Sequence, residues 1–479
     1  MGELRKKALK GVFWSSIDKV CVKAVAFIVS IVIARILSPA DYGIIGMILV
    51  FITIANIFIN SGISQALVQR KNRTATDMAT AFYFNVSVAL ICYIILFFTA
   101  PYIAEFYEVI ILTPVLRILG LNIIVSSFAT VQRANLLVLL DFRSLAIVNI
   151  VGVLVSSVIG IWMAYAGYGV WALVGQQMSS IVASTVMFWI SGKWHPTARF
   201  SMHSFKILWS FGSKLLATGL VATTLREVYT VAIGKVYRSS ELGFYTRAVQ
   251  TSDMVAMTTN DVINAVTFPI LSSLQDDRSK LIEVYRRMLG MTAFCIFPIM
   301  IGLAVVASPF ISLLLTDKWL PTVPLLQWLC VARMFTPISS LNMNILNAIG
   351  RSDLFMKVDF AKIPLIVLAM VITIPMGVEA IVIGNVVTTI ISYFINAYLP
   401  GKIFNFGVKA QFKIFWKITL ATIGMALCVW GSMLMCTSEL LKLLIGILTG
   451  LTAYLIFTTI LRVSELAEIT QIVANRLSR

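Results

Sequence analysis

The sequence has 479 residues, of which 59% are hydrophobic and only 12% are charged, and it carries a net charge of +17. This apolar fraction excludes a water-soluble globular protein, because a soluble fold of this length does not need so many apolar residues. The continuous apolar runs of about 20 residues predict α-helices, since the strands of a membrane barrel would alternate apolar and polar residues. We therefore predict an all-α polytopic membrane protein.

The apolar runs predict about fourteen transmembrane helices. They are approximately 12–37, 43–67, 79–100, 112–134, 144–166, 168–191, 207–233, 243–270, 288–315, 325–349, 357–375, 377–399, 414–433 and 439–461. The first run is too long for a signal-peptide core and contains charges, so we expect it to be retained. An even number of helices places both termini on the same side of the membrane.

Lysine and arginine are divided unequally between the two sides of this topology. The odd-numbered connections and their borders hold only Lys235, Arg238, Lys318 and Lys442, whereas most of the 38 Lys and Arg residues lie at the termini and in the even-numbered connections. Because positively charged loops stay in the cytoplasm, we predict that both termini are cytoplasmic. The same distribution accounts for the net positive charge, so we expect no nucleic-acid partner.

A short motif occurs twice. Residues 35–43 and 235–243 each contain a cation, a carboxylate six residues later and a glycine eight residues later. Further matches follow in the same order at offsets of roughly 200 residues, which predicts an internal duplication rather than chance similarity between apolar segments. Because six helices return the chain to its starting side, the two copies would be parallel six-helix repeats. The predicted domains are 1–200, 201–405 and 406–479, the last with two extra helices and a cytoplasmic tail.

Charged residues inside the predicted helices are the candidates for a binding site, because a charge in the bilayer normally faces water or an opposite charge. Seven such cations outnumber four carboxylates, and this excess predicts an anionic cargo such as a phosphate or diphosphate. The candidate cargo-binding residues are Lys19, Lys23, Lys214, Arg226 and Arg333, and the other two cations are Arg117 and Arg247. The candidate ion-coupling carboxylates are Asp18, Glu227, Asp253 and Asp261.

Several of these charges have a structural alternative. The long side chain of Arg35, near a helix end, can extend to the membrane surface. Asp18 and Lys19 are adjacent in the sequence and therefore point in different directions around a helix. The same holds for Arg226 and Glu227. We interpret Asp41 and Glu241 as capping residues, because a carboxylate stabilises a helix N-terminus.

The sequence shows no pattern typical of a metal site, a cofactor site or an enzyme. The six cysteines form no CxxC pair, and the two histidines lie in one polar connection without a cysteine or carboxylate nearby. No glycine-rich Walker loop and no catalytic triad is visible. We therefore expect no metal, no bound cofactor and no enzymatic activity.

Several segments resemble bacterial polysaccharide and O-antigen flippases of the multidrug/oligosaccharidyl-lipid/polysaccharide (MOP) exporter superfamily, and within it the colanic-acid-exporter-like branch. They include ARILSPADYG at 34–43, GVWALV at 169–174 and LGFYTRA at 242–248. The similarity extends over most of the chain, to about residue 413.

This resemblance implies a MATE-like fold, with two six-helix bundles in a V and two further C-terminal helices. It implies that alternating access moves a polyprenyl-pyrophosphate-linked oligosaccharide from the cytoplasmic to the periplasmic leaflet of the bacterial inner membrane, for O-antigen, capsule or exopolysaccharide assembly. Coupling would use a proton or sodium ion, and membrane lipids and other polysaccharide-assembly proteins would be partners. Lumenal basic residues would bind the pyrophosphate, and Tyr83, Asn85, Asn260 and Asn264 are candidate sugar contacts. The alternative is a multidrug or cation antiporter of the same fold, which needs a net acidic cavity.

Overall fold

The computed structural model describes most of the chain, and the described part is mainly α-helical. Ten of its helices are long and apolar enough to cross a membrane, which confirms the predicted all-α polytopic fold class. The described residues are 14, 21–59, 63, 66–67, 70, 72–192, 194–274, 277–349 and 351–477.

The chain divides into two compact units, Met1–Gly243 and Phe244–Arg479. The described helices of the first unit are residues 21–36 (α1), Pro39–Ile59 (α2), Ala75–Tyr107 (α3), Leu112–Val138 (α4), Phe142–Tyr165 (α5), Val170–Ser191 (α6) and Met202–Val236 (α7). Helix α8, Ser239–Ser273, begins at the end of this unit and continues into the second.

The second unit contains the remaining helices. They are Arg278–Val305 (α9), Ala307–Leu315 (α10), Thr322–Met334 (α11), Thr336–Ala348 (α12), Ser352–Ala361 (α13), Ile363–Thr373 (α14), Val378–Phe404 (α15), Val408–Leu434 (α16), Glu439–Ile460 (α17) and Ser464–Leu477 (α18). The predicted domain boundaries near residues 200 and 405 are those of the sequence repeat, and they stay a prediction.

Helix α7 belongs to the first unit because its first turns pack on α3. Leu208 lies in one buried apolar cluster with Ile63 and Phe82. The backbone N–H of Ser201, directly before α7, donates a hydrogen bond to Thr80 Oγ1 at 3.1 Å. An apolar contact and a satisfied backbone donor therefore fix the start of α7 against α3.

Three predicted membrane spans of the second unit are each divided into two helices. The ninth consists of α9 and α10, the tenth of α11 and α12, and the eleventh of α13 and α14. In each case a proline follows the break within a few residues, and a proline cannot donate a hydrogen bond to the carbonyl four positions earlier. These prolines are Pro309, Pro337 and Pro364.

The last two long helices, whose role the sequence left open, pack on the second unit. Helix α16 packs on α9, and α17 packs on α16. A buried polar cluster joins α16 to its neighbours: Gln411 Nε2 donates to Asn342 Oδ1 at 3.0 Å and to Tyr285 Oη at 3.2 Å, and Tyr393 donates to Gln411 Oε1 at 3.0 Å. Buried polar groups are stable only when hydrogen-bonded, so this cluster specifies how α16 docks.

The first copy of the repeated motif forms the start of α2. Ser38 N–H donates to Asp41 Oδ2 at 2.9 Å, and Asp41 N–H donates to Ser38 Oγ at 3.3 Å. These reciprocal bonds are a capping box, which satisfies two of the backbone donors that a helix start leaves open. They confirm the capping role predicted for Asp41. Glu241 lies in the first turn of α8, at the equivalent position of the second copy.

The two copies of the motif meet within the first unit. A Cβ atom on Gly43 would lie 1.7 Å from the carbonyl oxygen of Ser239, and one on Gly243 would lie 1.8 Å from the carbonyl oxygen of Pro39. Each helix start thus presses its glycine against the backbone of the other. This contact explains why both motif copies, 35–43 and 235–243, end in glycine, since only glycine permits so close an approach.

We predict that Gly43→Ala and Gly243→Ala each lower the thermal unfolding temperature of the purified protein. The added methyl group overlaps a carbonyl oxygen, and overpacking of this kind costs about 1–3 kcal/mol. Gly431→Ala is the matched control, because no neighbouring atom lies within 4 Å of a Cβ there. Equal unfolding temperatures for Gly43→Ala and Gly431→Ala would contradict the close contact.

Candidate functional site

The second unit contains an ion pair between two charges that the sequence nominated for different roles. Arg333 Nε lies 2.5 Å from Asp253 Oδ1, and the two side chains are only 17% and 12% exposed. Arg333 is in the last turn of α11, and Asp253 lies in the middle of α8. The structure thus joins a candidate cargo-binding cation to a candidate ion-coupling carboxylate.

The helix break places Arg333 beside two helix ends. Pro337 follows Arg333 by four residues, so the helical hydrogen bond from position 337 to the Arg333 carbonyl is absent. The C-terminus of α11 favours a cation, and the N-terminus of α12 two residues later favours an anion. Broken membrane helices of this kind are typical of substrate sites in transporters.

Two other candidate cations lie in the first unit. Lys23 is half-buried on α1, and Arg226 is exposed on α7. The candidate ion-coupling residue Glu227, next to Arg226, is half-buried and accepts a hydrogen bond from Thr230 Oγ1 at 3.4 Å.

The remaining candidates are not described in full. Asp18 and Lys19 lie outside the described residues. Lys214 is on α7 and Asp261 is on α8, but their side chains lie outside the described set. Their proposed roles stay predictions.

Two further cations are held within the first unit by neighbouring groups. Arg117 Nε donates to the Phe97 carbonyl at 3.3 Å, and its guanidinium lies 4.2 Å from the centre of the Phe97 ring. Lys235, the cation of the second motif copy, lies 2.9 Å from Glu108 Oε1. The hydrogen bond from Lys235 lowers the pKa of Glu108. Both cations therefore have structural partners.

The candidate sugar contacts have different surroundings. Tyr83 is exposed, whereas Asn85 is fully buried in α3. Neither amide atom of Asn85 has a hydrogen-bond partner among the described residues, and the same holds for Asn260 Oδ1 on α8. The side chain of Asn264 lies outside the described set. In this conformation Tyr83 is more accessible to a ligand than Asn85.

Sequence reasoning missed a cavity of about 850 Å³ within the second unit. Helices α9, α11, α15 and α16 line it, mostly with apolar side chains. Trp328 Nε1 donates to Glu379 Oε1 at 3.2 Å in its wall. The available signal was a difference between the repeat copies, since Glu379 occupies the position that corresponds to Trp171 in the first copy.

The family of the chain follows from its sequence. Residues 32–324 match the family described as polysaccharide biosynthesis protein. The chain belongs to this family. The matched region includes Asp253 but ends before Arg333, so the ion pair joins a residue inside the matched region to one outside it.

Two curated relatives of this polysaccharide biosynthesis protein cover most of its length. The chain is 24% identical over 438 residues to the teichuronic acid biosynthesis protein TuaB of Bacillus subtilis (strain 168), which is 90% of each chain. It is 26% identical over 400 residues to the lipopolysaccharide biosynthesis protein WzxC of Escherichia coli (strain K12), which is 82% of this chain and 81% of that protein.

The fold of this family member is similar to that of a solved flippase. The structure described as lipid II flippase MurJ, inward closed conformation, superposes with a TM-score of 0.77 and covers 93% of this chain and 98% of that chain. At 17% identity this likeness concerns the fold.

We predict that Arg333→Ala destabilises the protein strongly, because it removes the charged arginine contact of the buried Asp253 carboxylate. Removing one member of a buried pair typically costs about 3–5 kcal/mol. Since the two residues are in contact, Arg333→Ala/Asp253→Ala should lose less than the sum of the single losses. Thermal unfolding of the four proteins measures this coupling.

The more accessible pair Glu439–Lys442 on α17, with 2.7 Å between Oε1 and Nζ and side chains 37% and 29% exposed, is the control. Its double-mutant cycle should give a coupling of about 1 kcal/mol or less. Additive losses at Arg333 and Asp253 would contradict the ion pair.

Proposed function

We propose that the chain is a flippase for lipid-linked oligosaccharides in bacterial surface-polysaccharide assembly. Three observations support this: the family is that of polysaccharide biosynthesis proteins, the relatives TuaB and WzxC are named for cell-surface glycans, and the fold is similar to that of a lipid II flippase. The cargo would be a polyprenyl-pyrophosphate-linked repeat unit, moved from the cytoplasmic to the outer leaflet of the cytoplasmic membrane.

The observation that carries the proposal at the residue level is the position of Arg333. A guanidinium is held within a membrane-spanning unit at a helix break, with part of its side chain accessible. Guanidinium groups bind phosphate oxygens through two parallel hydrogen bonds, and these charge-assisted bonds are stronger than neutral ones. Arg333 would thus bind the diphosphate, while the polyprenyl chain stays in lipid.

The other intramembrane cations extend this proposal. Lys19, Lys23, Lys214 and Arg226, which belong to the first unit, stay candidate cargo-binding residues in this proposal. The sugars would meet polar and aromatic side chains such as Tyr83. Because both termini are predicted to be cytoplasmic, the cargo would enter on the side that carries most of the basic connections.

We also propose that transport is coupled to a proton or sodium ion, without catalysis by the protein itself. The carboxylates Asp18, Glu227, Asp253 and Asp261 are the candidates for ion binding. A carboxylate in a membrane span is costly to bury unless it binds an ion or has a charged partner.

The proposal predicts the phenotype of a strain that lacks this protein. Surface polysaccharide should be lost, and lipid-linked repeat units should accumulate on the cytoplasmic side. The wild-type gene should restore export, Arg333→Ala should reduce it at least tenfold, and Arg333→Lys should restore part of it because the charge remains. Surface glycan and extracted lipid-linked precursor are measured together.

Arg286→Ala is the matched control, because Arg286 is an exposed arginine on α9 in the same unit. It should export as wild type does. Normal glycan in the deletion strain, with altered sensitivity to cationic drugs, would replace the flippase proposal with the antiporter alternative.

A further inference from the structure

We infer that Asp253 is an internal competitor for the anionic group of the cargo. In the structure the Asp253 carboxylate contacts the Arg333 guanidinium, and the diphosphate of the cargo would displace it. This inference rests on the proposed function, which supplies the diphosphate, and adds a specific role for the carboxylate.

The geometry of the pair favours exchange. The contact joins one guanidinium nitrogen, Nε, to one carboxylate oxygen, Oδ1. A guanidinium has five N–H donors, and its strongest contacts with an anion use two of them in parallel. A diphosphate carries more charge than a carboxylate and offers several oxygens for a two-point contact, so it can replace a single-point partner.

The position of the two residues gives the exchange a consequence for release. Displaced Asp253 would remain in a site where its side chain is only 12% exposed, and the loss of the arginine contact there is unfavourable. The affinity for diphosphate is therefore lowered by the cost of separating Asp253 from Arg333. When the cargo leaves, the carboxylate returns to Arg333.

The ion pair also lowers the free energy of the protein when no cargo is bound. A bare cation in the bilayer is unfavourable, whereas an ion pair carries no net charge. The protein without cargo would thus keep a neutral pair at this position. A purely structural pair would instead remain intact when the anion binds.

Binding of inorganic pyrophosphate to the purified full-length protein tests this exchange. Asp253→Asn removes the competing charge, so we expect pyrophosphate affinity to rise at least fivefold. Arg333→Ala should abolish binding at this site. Glu439→Gln, which breaks an ion pair on α17, should leave the affinity within twofold of wild type. Asp253→Ser is a second neutral variant, which controls for a folding defect caused by the asparagine side chain. Thermal unfolding shows whether each variant is folded.

Export in the deletion strain supplies the second measurement. Asp253→Asn should bind pyrophosphate more tightly yet export less surface glycan, because release no longer regains the ion pair. Unchanged or weaker pyrophosphate affinity in both neutral variants would overturn the inference.

The failure of the inference can be distinguished from that of the proposed function. If the wild type binds pyrophosphate and restores export but the neutral variants bind no more tightly, only the competitor role is wrong. If the wild type neither binds pyrophosphate nor affects lipid-linked precursors, the proposed function fails as well.

Discussion

A charged group inside a bilayer requires water, an opposite charge or another polar partner, and this requirement governs the charged residues of this protein. Arg117 donates to a backbone carbonyl and lies over the Phe97 ring, whereas Arg333 contacts the carboxylate of Asp253. The partners of Arg117 are a neutral carbonyl and an aromatic ring, whereas the partner of Arg333 is a charged carboxylate. Under the proposed function, the diphosphate of the cargo would take the place of this carboxylate at Arg333.

The backbone positions this site through residues that carry no charge. Pro337 breaks the tenth predicted span four residues after Arg333, so α11 ends and α12 begins within three residues of Arg333 in the sequence. In the first unit, Gly43 and Gly243 let the starts of α2 and α8 touch at their backbones. Proline and glycine thus determine where helices end and how closely they approach, and charged side chains act within that frame.

Much of this architecture could be predicted from the sequence because its causes are local. Apolar runs located the helices, and the carboxylate three residues after Ser38 indicated the cap of α2. The repeated glycine was visible in the sequence. Only the structure shows why glycine is needed there, because the contacting residue Ser239 lies almost 200 residues beyond Gly43.

The pairing at the candidate site depends on the fold and not on a local pattern. Asp253 and Arg333 are separated by 80 residues, and nothing in either segment indicates the other. Both residues could be selected from the sequence because a charge inside the bilayer is energetically unfavourable. The sequence alone, however, suggested a separate function for each of them. The cavity bounded by Trp328 and Glu379 was also missed, because its walls come from four separate helices that only the fold brings together.

The most direct test of the account is a flipping assay with the purified protein in liposomes. A lipid-linked oligosaccharide with a diphosphate linkage is placed in one leaflet, and its appearance in the other is followed with a glycan-modifying reagent that cannot cross the membrane. The account predicts transfer by the wild type and by Arg286→Ala, with transfer by Arg333→Ala close to that of protein-free liposomes. Equal transfer by Arg333→Ala and the wild type would contradict it.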